Sequence, residues 1–105
     1  MYFDRQGLPI SFERWSDLMC DDNQRRVGWD EPRPGVYVST VWLGLNHGHD
    51  HDQPLIFETM VFNGSWDQDF CRYSTQVEAV IGHLDVVERL AAGLEPWPER
   101  VRGSL

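Results

Sequence analysis

Two stretches limit what this chain can fold into: Val36 to Leu45 (VYVSTVWLGL) and Leu55 to Phe62 (LIFETMVF). Both are dense in β-branched and aromatic residues, which suit a pleated surface and crowd a helix. With a period of two, Tyr37, Val41, Leu43 and Leu45 share one face of the first stretch. Val36, Val38, Thr40 and Trp42 share the other. In the second, Leu55, Phe57, Thr59 and Val61 oppose Ile56, Glu58, Met60 and Phe62. Apolar residues on both faces mark central strands, either covered on both sides or covered on one and used on the other. The polar connection NHGHDHDQ (46–53) is long enough to join them as an antiparallel pair.

The flanking sequence supplies the other elements. YFDRQGLPI (2–10) has the turn chemistry of a short hairpin, with Pro9 confined to an edge. Ser11 stands as a helix N-cap before Phe12, Trp15, Leu18 and Met19, and the helix should stop at the polar loop Asp21-Asp22-Asn23. A short strand is expected over 24–29, closed by a turn from Asp30 to Gly35, and a last strand over Phe70 to Tyr73. Thr75 and Glu78 fit a capping box that opens a long helix, and Gly93 fits its C-terminal stop. On that helix Val77, Val80, Ile81, Leu84, Val87 and Ala91 trace the apolar face that should meet the sheet. The expected architecture is α+β: an antiparallel sheet with one short N-terminal and one long C-terminal helix. It forms a single domain over 1–93, followed by a Pro-containing tail over 94–105 in which Trp97 could act as a pin.

Composition removes several functions. A chain of 105 residues is too short for a two-domain enzyme or a doubly wound nucleotide-binding fold. Asp and Glu number 17 against nine Arg and no Lys, a net charge of −8 that repels nucleic-acid backbones. Such a surface could instead dock on a basic partner protein. No apolar run suits a membrane span, no signal-peptide core opens the chain, and Cys20 and Cys71 read as two reduced thiols, so a cytoplasmic location is expected. GxSxG, P-loop, GxGxxG and HExxH patterns are absent, and no cofactor is expected.

Three constellations could carry chemistry. His47, His49 and His51 alternate with Gly48, Asp50 and Asp52, which suits either a solvated loop or a metal site of a metal-dependent hydrolase. Their order departs from HxHxDH, and no later His or Asp cluster completes such a site. Glu58 places a carboxylate on an apolar strand face, where it needs either a ligand or an ion pair, with Arg72 the natural candidate. Arg72, Tyr73, Ser74 and Thr75 gather a guanidinium, a ring and two hydroxyls before the long helix, where unpaired N–H groups suit either a phosphate or plain capping. His83, at the border of the apolar helix face, reads as a packing residue.

At VSTVWLGL (38–45), PLIFETMVF (54–62) and RYST (72–75), and in the opening YFDRQGLPI, the chain resembles a group of small proteins encoded by bacteriophages and prophages. The group's Gly-rich connection after the position of His47 is replaced here by HGHDHD. The chain is also similar to phage anti-defence sponge proteins that sequester cyclic ADP-ribose signals of the Thoeris system. The resemblance implies a non-enzymatic protein, active in the cytoplasm of an infected bacterium, that holds a small nucleotide-like ligand. On that reading Arg72, Tyr73, Ser74, Thr75, Trp42 and Glu58 form the binding site. Strands apolar on both faces further predict a homo-oligomer, because two helices cannot cover a sheet twice.

Overall fold

The computed structural model describes residues 1–46 and 53–97. It has the α+β fold with antiparallel sheets expected above. β1 (Tyr2–Phe3) and β2 (Pro9–Ile10) form the N-terminal hairpin, followed by α1 (Phe12–Met19). Ser11 caps α1 by accepting from the Arg14 N–H at 3.1 Å. A short helix α2 (Asp22–Arg25) replaces the expected loop, because the Asp21 carboxylate accepts from the Asn23 N–H at 2.9 Å and caps it. β3 (Arg26–Arg33), β4 (Val36–Trp42), β5 (Phe57–Phe62) and β6 (Phe70–Tyr73) then make an antiparallel meander in sequential order. The long helix α3 (Gln76–Ala91) closes the fold. No helix among the described residues is long and apolar enough to cross a membrane.

β3 runs four residues past its expected end, through Asp30 to Arg33. As an edge strand it tolerates Pro32, and the register slips between Asp30 and Arg33. The turn shrinks to Pro34–Gly35. β4 in turn stops at Trp42 rather than Leu45, since Gly44 leaves the strand conformation at φ +73°.

Strand register sorts the side chains into two faces. Val38, Thr40 and Trp42 pair with Val61, Thr59 and Phe57 on the inner face, all buried. The outer face carries Tyr37, Ser39, Val41, Glu58, Met60 and Phe62, none of them buried. Among the described residues the sheet is therefore covered on its inner side, by α3 together with the N-terminal unit and Trp97. Its inner side holds two apolar clusters, one around Val38, Val61, Val86, Leu90 and Trp97, the other around Phe3, Trp42, Ile56, Phe57 and Ala79. Pro96 and Trp97 are buried, so the segment after α3 folds back onto the first cluster. Residues 98–105 lie outside the described residues.

The orientation of α3 departs most from expectation. Its buried residues are Ala79, His83, Val86 and Leu90. The stripe expected to face the sheet instead leaves Val77 68%, Val80 40%, Ile81 63% and Leu84 60% exposed. Close approach explains the choice. Gly82 lies against the Tyr73 ring, where a Cβ would collide with it, and Gly28 of β3 lies so close to His83 that a Cβ would sit 2.7 Å from the imidazole. Small residues let the helix settle on the sheet, and bulkier Ile81 and Leu84 on that side would hold it off.

The N-terminal unit is fastened where β4 ends. The Phe3 N–H donates to the Gly44 carbonyl at 2.9 Å, and Trp42 Nε1–H donates to the Phe3 carbonyl at 3.1 Å. Trp15 Nε1–H reaches the Leu43 carbonyl at 3.0 Å, and its ring meets Tyr2 at 4.8 Å and Phe12 at 5.9 Å.

Candidate functional site

Glu58 and Arg72 are register partners on the outer face, and Arg72 Nε donates to Glu58 Oε2 at 3.0 Å. Their side chains are 14% and 29% exposed, and the guanidinium also lies 4.5 Å from the Phe70 ring centroid. Of the two readings of Glu58, the structure holds the ion pair. Replacing Arg72 with Ala should cost about 1 kcal/mol, a modest value because water still reaches the pair. Urea unfolding of Arg72→Ala, Glu58→Gln and the double variant checks this: the double variant should cost less than the sum of the single ones.

The other site residues expected from sequence separate. Tyr73 points to the inner face beside Phe57 and packs on Gly82. Trp42 is 1% exposed and belongs to the core. Ser74 and Thr75 stay at the start of α3, where the capping box is complete: Thr75 Oγ1 accepts from the Glu78 N–H at 3.1 Å. The Glu78 carboxylate accepts in return from the N–H groups of Thr75 at 3.1 Å and Ser74 at 3.2 Å. The N–H groups of Gln76 and Val77, the first two helical residues, meet no acceptor among the described residues.

Those two groups border a cleft of about 530 Å³ between the helix start and the N-terminal hairpin. Arg5, Gln53, Ile56, Thr75, Gln76 and Val77 are among its walls. Arg5 comes from the hairpin turn and is held in place: Nε donates to Gln76 Oε1 at 2.8 Å, and Nη1 points at the carbonyls of Asn23 and Gln24 at 3.3 and 3.2 Å. Its Nη2 has no acceptor among the described residues. In a chain with 17 carboxylates, the described lining of this cleft holds one guanidinium and no acid. Glu78 lines a neighbouring cleft instead, with Arg72, Tyr73 and Ile81. Arg5 was missed at the sequence level because a contact 71 residues away leaves no local pattern.

A second polar constellation lies in the core. His83 Nδ1 is 2.7 Å from Thr40 Oγ1, which is 2.5 Å from Thr59 Oγ1, and His83 Nε2 is 2.7 Å from Asp30 Oδ2. Asp30 can only accept, so Nε2 donates to it. In the neutral ring Nδ1 then accepts from Thr40, and Thr40 accepts from Thr59. The order hydroxyl, imidazole, carboxylate is that of a nucleophilic triad. Thr40, however, is 0% exposed, and no substrate carbonyl can reach its oxygen. The network satisfies buried polar groups between the two apolar clusters.

His47, His49 and His51 lie outside the described residues. Among the described residues, no group of three or more His, Cys, Asp or Glu side chains is placed to hold a metal. Compared with protein-family models, curated proteins and solved structures, the chain matches none.

Proposed function

We propose that this chain is a non-enzymatic binding protein that sequesters a small nucleotide-like ligand in the cleft at the start of α3. The observation that carries the reading is the local charge of that cleft, an anchored Arg5 with no carboxylate among the described lining residues, in an otherwise acidic chain. A phosphate oxygen placed there takes Nη2 of Arg5 and the N–H groups of Gln76 and Val77, aided by the helix dipole. Ile56, Pro54 and Val77 offer apolar wall to a ribose or base, and the Gln53 and Gln76 amides offer donors and acceptors for its edge. Among the described residues, the hydroxyl–imidazole–carboxylate arrangement has its hydroxyl and imidazole buried, which fits capture of a ligand rather than its conversion. Relative to the site expected from sequence, Ser74 and Thr75 remain, and Arg5 takes the role given to Arg72.

Calorimetry against cyclic nucleotides and ADP-ribose derivatives tests the reading. One of them should bind and be recovered unchanged from the denatured protein. Arg5→Gln should weaken that binding by about 1.5–3 kcal/mol, roughly 10- to 150-fold, the value of a hydrogen bond to a charged group. Arg72→Ala should leave it within about 0.5 kcal/mol. Absence of heat with the whole panel, or a loss that follows Arg72 and not Arg5, overturns the reading.

A further inference from the structure

The cleft between the N-terminal hairpin and the start of α3 has little positive charge and few donors, and both limit the anion it can hold. Arg5 is the one charged side chain among its described lining residues. Most of that guanidinium is already engaged. Its Nε donates to Gln76 Oε1, and its Nη1 points at the carbonyls of Asn23 and Gln24, which leaves Nη2 as the nitrogen without an acceptor among the described residues. Arg5 therefore cannot grip a phosphate with the two-pronged fork that arginine usually offers. On the same wall, the N–H groups of Ser74 and Thr75 are held by Glu78 Oε1 at 3.2 and 3.1 Å. The Glu78 carboxylate thus stands beside the cleft as a fixed negative charge and offsets part of the helix dipole.

We infer, resting on the nucleotide-binding reading above, that this cleft takes a phosphodiester with a single negative charge, as in a 3′,5′-cyclic mononucleotide, in preference to a terminal phosphate or a pyrophosphate. A diester spreads its charge over two oxygens. The N–H bonds of Arg5 Nη2 serve one of them, and the N–H groups of Gln76 and Val77 serve the other. A terminal phosphate has a third charged oxygen and carries about −1.5 to −2 at pH 7. The backbone groups that would take that oxygen belong to Glu78, and the extra charge meets that carboxylate instead of a second cation. A pyrophosphate likewise brings two charges to one guanidinium. Arg72 does not make up the difference, because it lines the adjoining cleft and is held by Glu58 at 3.0 Å. The neutral ester oxygens and the ribose are left for the hydroxyls of Ser74 and Thr75, and the base for the apolar wall of Pro54, Ile56 and Val77. The cleft volume of about 530 Å³ lies within the range of small-molecule sites.

Calorimetry on the full chain with matched ligands tests it. The probes are the 3′,5′-cyclic monophosphate and the 5′-monophosphate of adenosine, guanosine, cytidine and uridine, with ADP-ribose beside the adenosine pair. Within each pair the base and ribose stay constant and only the phosphate changes. For the base that binds, the cyclic diester should bind on the order of tenfold tighter than its 5′-monophosphate, the effect of one further charge near a carboxylate in an open cleft. Arg5→Gln should weaken the cyclic diester and remove the preference. Glu78→Gln takes away the charge and keeps the cap, since a glutamine carbonyl also accepts from the N–H groups of Ser74 and Thr75. In that variant the preference should narrow by about threefold or more. A 5′-monophosphate or ADP-ribose that binds as tightly as the cyclic diester overturns the inference and leaves the cleft as a nucleotide site. So does an unchanged preference in a Glu78→Gln protein whose circular dichroism spectrum is intact. No heat with any of these ligands overturns the nucleotide reading itself, and the inference with it.

Discussion

Replacing His83 with Ala should destabilise the protein by about 3–5 kcal/mol, among the largest single-residue effects in the chain. Two costs add. The ring is 4% exposed, and its removal leaves a cavity under α3 beside Gly28, whose missing Cβ was the room the ring needed. It also strands Thr40, whose hydroxyl then has only Thr59 as partner, in a site where both are 0% exposed. Asp30 loses little, because its side chain is 51% exposed and water replaces the imidazole. Thr40→Val should cost about 1–3 kcal/mol, since it orphans Nδ1 and removes the acceptor of the Thr59 hydroxyl. The combination His83→Leu, Thr40→Val and Thr59→Val replaces the network with apolar groups of similar size and should recover much of the loss. Urea unfolding midpoints at constant slope decide it. A His83→Ala cost below about 1 kcal/mol, or strict additivity across the set, would show that the hydrogen bonds contribute nothing beyond volume.

That network also explains what could be read from the sequence and what could not. The N-terminal hairpin, the Ser11 cap, β4, β5, β6 and the Thr75–Glu78 capping box were all visible, because each depends on neighbours within a few positions. The pairing of Glu58 with Arg72 was visible as an alternative, because two strands in sequence order bring such partners side by side. The rotation of α3 was not. Apolar periodicity points to Val77, Val80, Ile81 and Leu84, whereas the sheet accepted Ala79, Gly82, His83 and Val86, a face chosen for closeness and for one satisfied imidazole. His83 read alone is a border residue; only Thr40 and Asp30, 43 and 53 positions away, make it a centre. The same limit hid Arg5. β3 was shortened because Pro32 and the acidic run suggest a turn, and only an edge position with a register slip makes them compatible with a strand. The candidate site was thus legible at the helix start and illegible in its cation.

Gly44→Ala should cost about 3–5 kcal/mol and detach the N-terminal unit before the sheet melts. Gly44 sits at φ +73°, a conformation that alone disfavours a side chain by about 1–2 kcal/mol. The added Cβ would also lie 2.5 Å from the Trp15 ring and 2.7 Å from Trp42, and neither ring can give way freely. Trp42 is fixed in the core with its Nε1–H on the Phe3 carbonyl, and Trp15 is tied to the Leu43 carbonyl and packed, ring tilted, against Tyr2 and Phe12. Whichever ring moves loses a hydrogen bond that holds β1 or α1 to the end of β4. Phe3 and Gly44 then lose their own backbone contact as well. Because Arg5 hangs from that hairpin, the substitution also reaches the cleft: a ligand held by Arg5 should bind more weakly at temperatures where the sheet is still intact. Tryptophan fluorescence, followed beside far-ultraviolet circular dichroism on heating, separates the two steps. The fluorescence transition in Gly44→Ala should precede the loss of sheet and helix signal. A single coincident transition near the unsubstituted midpoint would mean that the two rings can open around a Cβ, and that the N-terminal unit is seated more loosely than its hydrogen bonds imply.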